Sequence, residues 1–201
     1  MQDGKPLGEV LAGREPRRIK PLLLEFVAVS VKEAHAARVL PIGTVPAVPI
    51  YLVRHARAGK RREWHDNDAL RPLESDGVRQ AVAIASRIAD RGLSALLSSP
   101  ILRCVQTLEP LSLRTGLPIV SDDRLTEGAD PLACVRWMTD LEDGTVMCSH
   151  GDVIPDVVDA LIRRGMRVQG DATVSKGCVW TIEREDGEFT SARSWLAPRS
   201  G

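Results

Sequence analysis

The sequence predicts an α/β protein with a mainly parallel β-sheet, covered by helices on both faces as a three-layer αβα sandwich and closed by a C-terminal hairpin. From Pro49 onward, short apolar segments alternate with longer segments that carry helix start and stop signals. This order is typical of parallel sheets with crossover helices. The last two apolar segments are joined by Glu185-Asp186-Gly187-Glu188, and Asp-Gly is a strong hairpin signal.

The first half of this region predicts three strands and two helices. Each strand is an apolar run of strand length, and the three lie at 49–54, 94–98 and 118–121. The helices are predicted at about 76–91 and 101–115. Ser75 is the expected N-cap of the first helix, and Gly92 and Gly116 follow the two helix ends, where glycine commonly terminates a helix.

The second half continues the alternation. A helix at about 131–140 precedes an apolar strand at 145–149. Gly151 is expected to open another helix that runs to about Arg164. The two hairpin strands are predicted at 178–184 and 189–195. The domain is therefore expected to span 49–198.

Residues 1–48 differ in character from the rest of the chain, because Pro and Gly recur throughout them. Such dense punctuation favours an irregular N-terminal extension over a second domain. A translation start placed too far upstream is an alternative origin for it.

Composition excludes several classes of function. Lys+Arg and Asp+Glu both count 27, so the basic excess of a nucleic-acid-binding protein is missing. The apolar run from Pro21 to Val29 is interrupted by Glu25 and is too short to span a membrane. We therefore expect neither a nucleic-acid partner nor a membrane anchor.

The cysteines form no C-x-x-C pair, which favours reduced thiols and a cytoplasmic location. They are Cys104, Cys134, Cys148 and Cys178.

Polar residues follow three of the predicted strands. They are Arg54-His55, Ser98-Ser99 with Arg103 one turn later, and Ser149-His150. Carboxyl ends of parallel strands share one edge of a sheet, where open α/β sheets bind ligands. Two arginines and two histidines would converge there, and guanidinium groups suit phosphate. The simplest ligand is a phosphoryl group, and no set of residues with metal-ligand spacing accompanies it.

Four segments in order carry a resemblance to a known family: V-R-H-A at 53–56, P-L-E-S-D-G-V-R-Q-A at 72–81, S-S-P-I-L-R-C-V-Q-T at 98–107 and S-H-G at 149–151. The chain resembles the histidine phosphatase superfamily, the phosphoglycerate-mutase-like enzymes, over about 50–195. Its compact size and Arg71-Pro72-Leu73 are similar to the SixA-type phosphohistidine phosphatases. The loop after His55 also resembles the phosphatase domain fused to actinobacterial MutT-type Nudix hydrolases. Ala56 stands where much of the family has glycine.

The resemblance implies a phosphatase that needs no metal or cofactor and works through a phosphohistidine. His55 would be the nucleophile. Arg54, Arg103 and His150 would hold the phosphoryl oxygens. Glu127 fits the family's loop carboxylate, which protonates the leaving group and then activates water; a solvated loop residue is the alternative.

A basic loop follows the expected nucleophile. Arg57, Arg61 and Trp64 are candidate substrate-binding residues, because cations could hold a second phosphate or an acidic protein surface and Trp64 could stack on a base. The alternative is a solvated loop. Two substrate classes remain open: a phosphohistidine-bearing protein, which the SixA-like length favours, and a phosphorylated small molecule or nucleotide.

Three other functions fit the sequence less well. A mutase needs longer insertions than this chain offers. A non-catalytic phosphate-binding module is less consistent with the intact Arg-His set. Cys178 and Arg184 have the C-x5-R spacing of cysteine-dependent phosphatases, but the segment between them contains no glycine and predicts a strand instead of a phosphate loop.

Overall fold

The computed structural model describes residues 48–197, which form seven strands, four α-helices and three short 3-10 helices. The strands are β1 Ile50–Arg54, β2 Ala95–Ser98, β3 Ile119–Ser121, β4 Thr145–Ser149, β5 Arg167–Val168, β6 Cys178–Glu185 and β7 Glu188–Leu196. The helices are α1 Ser75–Ile88, α2 Leu102–Thr115, α3 Pro131–Met138 and α4 Val153–Ile162. The expected extension at 1–48 lies outside the described residues except for Val48.

One sheet contains all seven of these strands, in the order β3-β2-β4-β1-β6-β7-β5. Neighbours among β3, β2, β4 and β1 are parallel. The hairpin of β6 and β7 is antiparallel and joins the sheet through β1. At its turn, Asp186 and Gly187 have φ of 52° and 84°, the positive values that a tight hairpin turn of this type requires. The predicted fold class is confirmed.

Helices cover both faces of the sheet. Because neighbouring residues of a strand point to opposite faces, alternate residues of β1 pack against different helices. Ile50 and Leu52 of β1 pack in the cluster formed with α3 and α4. Tyr51 and Val53 pack in the cluster formed with α1 and α2. The central strands β1 and β4 are therefore buried at nearly every position.

Several element boundaries differ from the sequence expectations. Ser75 is the first residue of α1, and the N-cap is Glu74, whose backbone N–H donates to the carbonyl oxygen of Arg57 at 3.0 Å. Helix α4 begins at Val153, because Gly151 and Asp152 form a turn. Gly116 ends α2 with φ of 75°, as predicted.

The described part of the chain bears on the membrane anchor and on the cysteines. Within it, no helix is long and apolar enough to cross a membrane. The four cysteines are free and buried, as the prediction of reduced thiols requires.

Candidate active site

The polar residues after β1, β2 and β4 lie at one edge of the sheet. β1 and β4 are parallel neighbours with Arg54 opposite Ser149, and the backbone N–H of His55 donates to the carbonyl oxygen of Ser149 at 3.0 Å. β2 pairs with the other side of β4. His55, Ser99 and His150 therefore follow three adjacent strand ends.

His55 has one defined tautomer. Its Nδ1 lies 2.8 Å from the carbonyl oxygen of Ala56, and because a carbonyl oxygen can only accept, Nδ1 carries the proton. Nε2 then has the free lone pair. Burial lowers the pKa of His55 to about 3, and the electrostatic influence of His150 and Arg103 acts in the same direction. The imidazole is thus neutral at physiological pH and able to act as a nucleophile.

His150 lies beside His55, with the ring centroids 5.3 Å apart and the planes at 61°. Its Nε2 is 2.8 Å from the Ser99 hydroxyl and 3.4 Å from Sγ of Cys104. Nδ1 is 3.5 Å from Oε1 of Glu127. Ser99 thereby orients the imidazole of His150, a role that the sequence motif did not reveal.

Arg103 places a fully buried guanidinium at this edge from the first turn of α2. Its Nη2 donates to Glu127 at 2.6 Å, and its Nη1 donates to the Asp68 carboxylate at 3.2 Å. Nε has no partner within 48–197. An unpaired buried donor is costly.

Arg54 lies against the turn that follows β4. Its Nη1 donates to the carbonyl oxygen of Val174, and its buried Nε has no partner among the residues that the structure describes. A Cβ placed on Gly151 would overlap the guanidinium. Glycine is therefore required at 151 for Arg54 to reach this position.

Glu127 comes to the site from the loop after β3. Besides Arg103, it accepts a hydrogen bond of 3.2 Å from Nη2 of Arg61. Glu127 therefore lies at the same edge of the sheet as the four other expected catalytic residues, which sequence spacing alone could not establish. Those four are Arg54, His55, Arg103 and His150.

Asp68 is a site residue that the sequence reasoning missed. Its carboxylate accepts hydrogen bonds from Arg61 at 2.9 Å and from Arg71 at 2.8 Å, in addition to the bond from Arg103. Hydrogen bonds from Arg71 and Arg61 hold the pKa of Asp68 well below its usual range. The i,i+3 spacing of Asp68 and Arg71 before Pro72 could have indicated an ion pair between them. The role of Asp68 in the site, however, depends on Arg103, which is distant in sequence.

A cavity of about 830 Å³ opens over this edge, and His55, Arg54, Arg57, Arg61 and Glu127 are among its lining residues. Arg57 is paired with Glu74 at 2.7 Å. Trp64 lines a neighbouring cavity of about 260 Å³ instead, and its Nε1 donates to the carbonyl oxygen of Asn67. Within the described part of the chain, no group of three or more His, Cys, Asp or Glu side chains could hold a metal ion.

The fold and this site define a phosphoglycerate-mutase-like α/β protein. Residues 50–129 match the family model described as "Histidine phosphatase superfamily (branch 1)". Over this segment the chain is similar to the histidine phosphatase superfamily.

Two curated relatives and two solved structures illustrate the similarity. The chain is 31% identical over 156 residues to the 8-oxo-(d)GTP phosphatase of Mycolicibacterium smegmatis, covering 74% of this chain and 48% of that protein. It is 36% identical over 81 residues to the probable phosphoglycerate mutase GpmB of Yersinia pestis, covering 39% of this chain and 37% of that protein. The chain thus spans half or less of these relatives.

The solved structures show the fold. The protein histidine phosphatase SixA in complex with tungstate has a TM-score of 0.60 at 20% identity, covering 71% of this chain and 93% of that one. YhfR of Bacillus stearothermophilus has a TM-score of 0.57 at 19% identity, covering 71% and 94%.

Proposed function

We propose that the chain is a phosphatase that forms a phosphohistidine at His55 and needs no metal. The observation that carries this proposal is the hydrogen bond from Nδ1 of His55 to the Ala56 carbonyl, because it leaves the lone pair of Nε2 free on a residue that lines the cavity. The match of residues 50–129 to the histidine phosphatase superfamily model supports the same activity.

In the first step, Nε2 of His55 attacks phosphorus, the P–Nε2 bond forms, and the bond to the leaving group breaks. Arg54, Arg103 and His150 would hold the phosphoryl oxygens. The burial of Arg103 and His150 makes their electrostatic stabilisation stronger than in water. Glu127 would give its proton to the leaving atom.

In the second step, water attacks phosphorus and the P–Nε2 bond breaks. Glu127 takes the proton from the water, phosphate leaves, and His55 returns to its neutral tautomer. The contacts of Glu127 with Arg103 and Arg61 support this role, since they hold the carboxylate at the site.

The substrate is the finer part of the proposal. The first candidate is a phosphohistidine-bearing protein, supported by the fold shared with the protein histidine phosphatase SixA. The second is a phosphorylated small molecule or nucleotide, supported by the relative named as an 8-oxo-(d)GTP phosphatase and by the size of the cavity. Leaving groups of low pKa, and the P–N bond of a phosphohistidine, need less help from a general acid than an alcohol leaving group does.

The test is to trap the intermediate. Brief incubation with labelled substrate followed by rapid quench should yield an acid-labile, base-stable adduct at His55. His55→Ala should lose both the adduct and turnover, and normal turnover in that variant would falsify the mechanism. Binding of phosphate without turnover by the unmodified protein would point to a non-catalytic module.

A second measurement separates the substrate classes. If the substrate is a nucleotide, Trp64→Ala should raise KM for nucleotides more than for a minimal aryl phosphate, since remote binding is lost. Arg61→Ala should do the same and also lower kcat for both substrates, because it releases Glu127. If nucleotide kinetics are unchanged and dephosphorylation of a phosphohistidine protein is impaired, the protein substrate is favoured.

A further inference from the structure

The cavity over His55 is larger than a single phosphoryl group needs. Its volume of about 830 Å³ falls in the range of pockets that hold whole small molecules. Positive side chains exceed negative ones in its lining. The positive residues are Arg54, Arg57, Lys60, Arg61, Arg71 and Lys176, and the negative ones are Glu74, Glu127 and Asp152.

Most of these cations have a carboxylate partner. Arg57 pairs with Glu74 at 2.7 Å, and Lys60 pairs with Glu63 at 3.0 Å. Asp68 accepts from both Arg61 and Arg71. Arg54 and Lys176 are the exceptions, since among residues 48–197 neither forms a salt bridge within 4.0 Å. Arg54 adjoins His55 and serves the reacting group, which leaves Lys176 without an assigned role.

The backbone at Lys176 is held next to the end of β1. The N–H of Gly177 donates to the carbonyl oxygens of Arg54 and His55 at 3.3 and 3.1 Å. Nε2 of Gln80 donates to the carbonyl oxygen of Lys176 at 3.3 Å. Gly177 has φ of +76°, and a Cβ there would lie 2.9 Å from Cδ of Gln80. Lys176 is therefore presented to the cavity by a loop that is tied to the strand carrying His55.

Lys176 also lies within the field of the neighbouring cations. Burial, followed by the charges of Arg71 and Arg54, lowers the pKa of its ammonium group. Arg57 uses its Nε for Glu74, and Arg71 uses Nε and Nη1 for Asp68 and Gly59. A bound anion would relieve the repulsion among these groups and accept their remaining donors.

We propose that Lys176, with Arg57 and Arg71, forms a second anion subsite for a phosphate or carboxylate group of the substrate other than the reacting phosphoryl group. This inference rests on the proposed function, because it assigns the substrate class of the same cavity. The substrate is then a small phosphorylated molecule with a second anionic group. A phosphohistidine side chain alone has a single anionic group, so a protein substrate would fill this subsite only with an acidic side chain next to the phosphohistidine.

The test is calorimetric titration of the full chain with inorganic pyrophosphate, with a bisphosphate of a three-carbon diol, and with orthophosphate. Lys176→Met is compared with Lys60→Met, which removes a lysine from the same cavity whose Nζ is already paired with Glu63. Circular dichroism verifies that both variants are folded. We expect Lys176→Met to weaken binding of at least one two-phosphate ligand about tenfold, the size of one lost charged hydrogen bond, and to weaken orthophosphate binding much less.

Lys60→Met should keep its affinity for the two-phosphate ligands. Equal losses of affinity in the two variants would mean that only overall charge matters. A loss of affinity in Lys176→Met that is the same for all three ligands would place Lys176 in the phosphoryl site. Either result overturns the second subsite. So does unchanged binding of every ligand. Because binding is measured directly, these outcomes stay readable even if the adduct at His55 is never found and the proposed activity fails.

Discussion

The carboxylate of Glu127 accepts a hydrogen bond of 2.6 Å from the buried guanidinium of Arg103, which joins the loop after β3 to the first turn of α2. Asp68 holds the other end of the same guanidinium at 3.2 Å. Because a planar fork held by two carboxylates has little freedom to rotate, the direction of Arg103 is set before any substrate binds. This pre-organisation supports the roles proposed above.

Gly151→Ala should impair the site without touching a reacting atom, because the added Cβ would overlap the guanidinium of Arg54. We expect kcat/KM for an aryl phosphate to fall between about tenfold and a hundredfold, the loss expected from a misplacement of about 1 Å. Gly59→Ala is the matched control, since Gly59 lines the same cavity and its Cβ would meet no atom within 4 Å. Equal kinetics in the two variants would show that the position of Arg54 does not matter.

The pH dependence of stability should report on His55. Its pKa is about 3 when folded against an ordinary 6.5, so between these values the unfolded chain binds a proton that the folded chain does not. The free energy of unfolding should therefore fall as pH drops from 6.5 toward 3, and this one group contributes at most about 1.4 kcal/mol per pH unit. Urea unfolding of His55→Asn at pH 7, 6, 5 and 4 should show a shallower decline than the unmodified protein. Parallel curves would refute the low pKa.

Asp68→Asn should lower kcat for phosphatase turnover, because Arg103, Arg61 and Arg71 share this carboxylate. We expect a loss on the order of tenfold, with a smaller change in KM, since the lost contacts position the transition-state groups. Asp90→Asn is the control, because its carboxylate is 91% exposed and 4.0 Å from Arg114. If the two variants have the same kcat, Asp68 has no positioning role.

Turnover should survive chelation, because the proposed mechanism uses imidazole and guanidinium groups in place of a metal ion. Prolonged dialysis against EDTA should leave kcat within about twofold of its starting value. If a metal ion did stabilise the transition state, its removal should cost about a hundredfold or more, as the removal of one oxyanion-stabilising donor does. Loss of activity that Mg²⁺ or Zn²⁺ restores would contradict the metal-free mechanism.

Much of the fold could be predicted from local patterns. The β4 strand lies at 145–149 as expected, and Gly116 ends α2 because its backbone adopts a left-handed conformation. Boundaries that depend on tertiary contacts were less predictable. Helix α1 takes its N-cap from Glu74, whose N–H is engaged by the Arg57 carbonyl of a distant loop.

The chain order of apolar and polar residues by itself determined that Arg54, His55 and His150 lie at one edge of a parallel sheet, because parallel neighbours place their carboxyl ends together. Only the tertiary structure decided the contacts within the site. Asp68 and Glu127 meet at Arg103, and Lys176 reaches the cavity from the loop before β6. Ion pairs between loops depend on how the helices pack onto the sheet, and no spacing along the chain encodes that geometry.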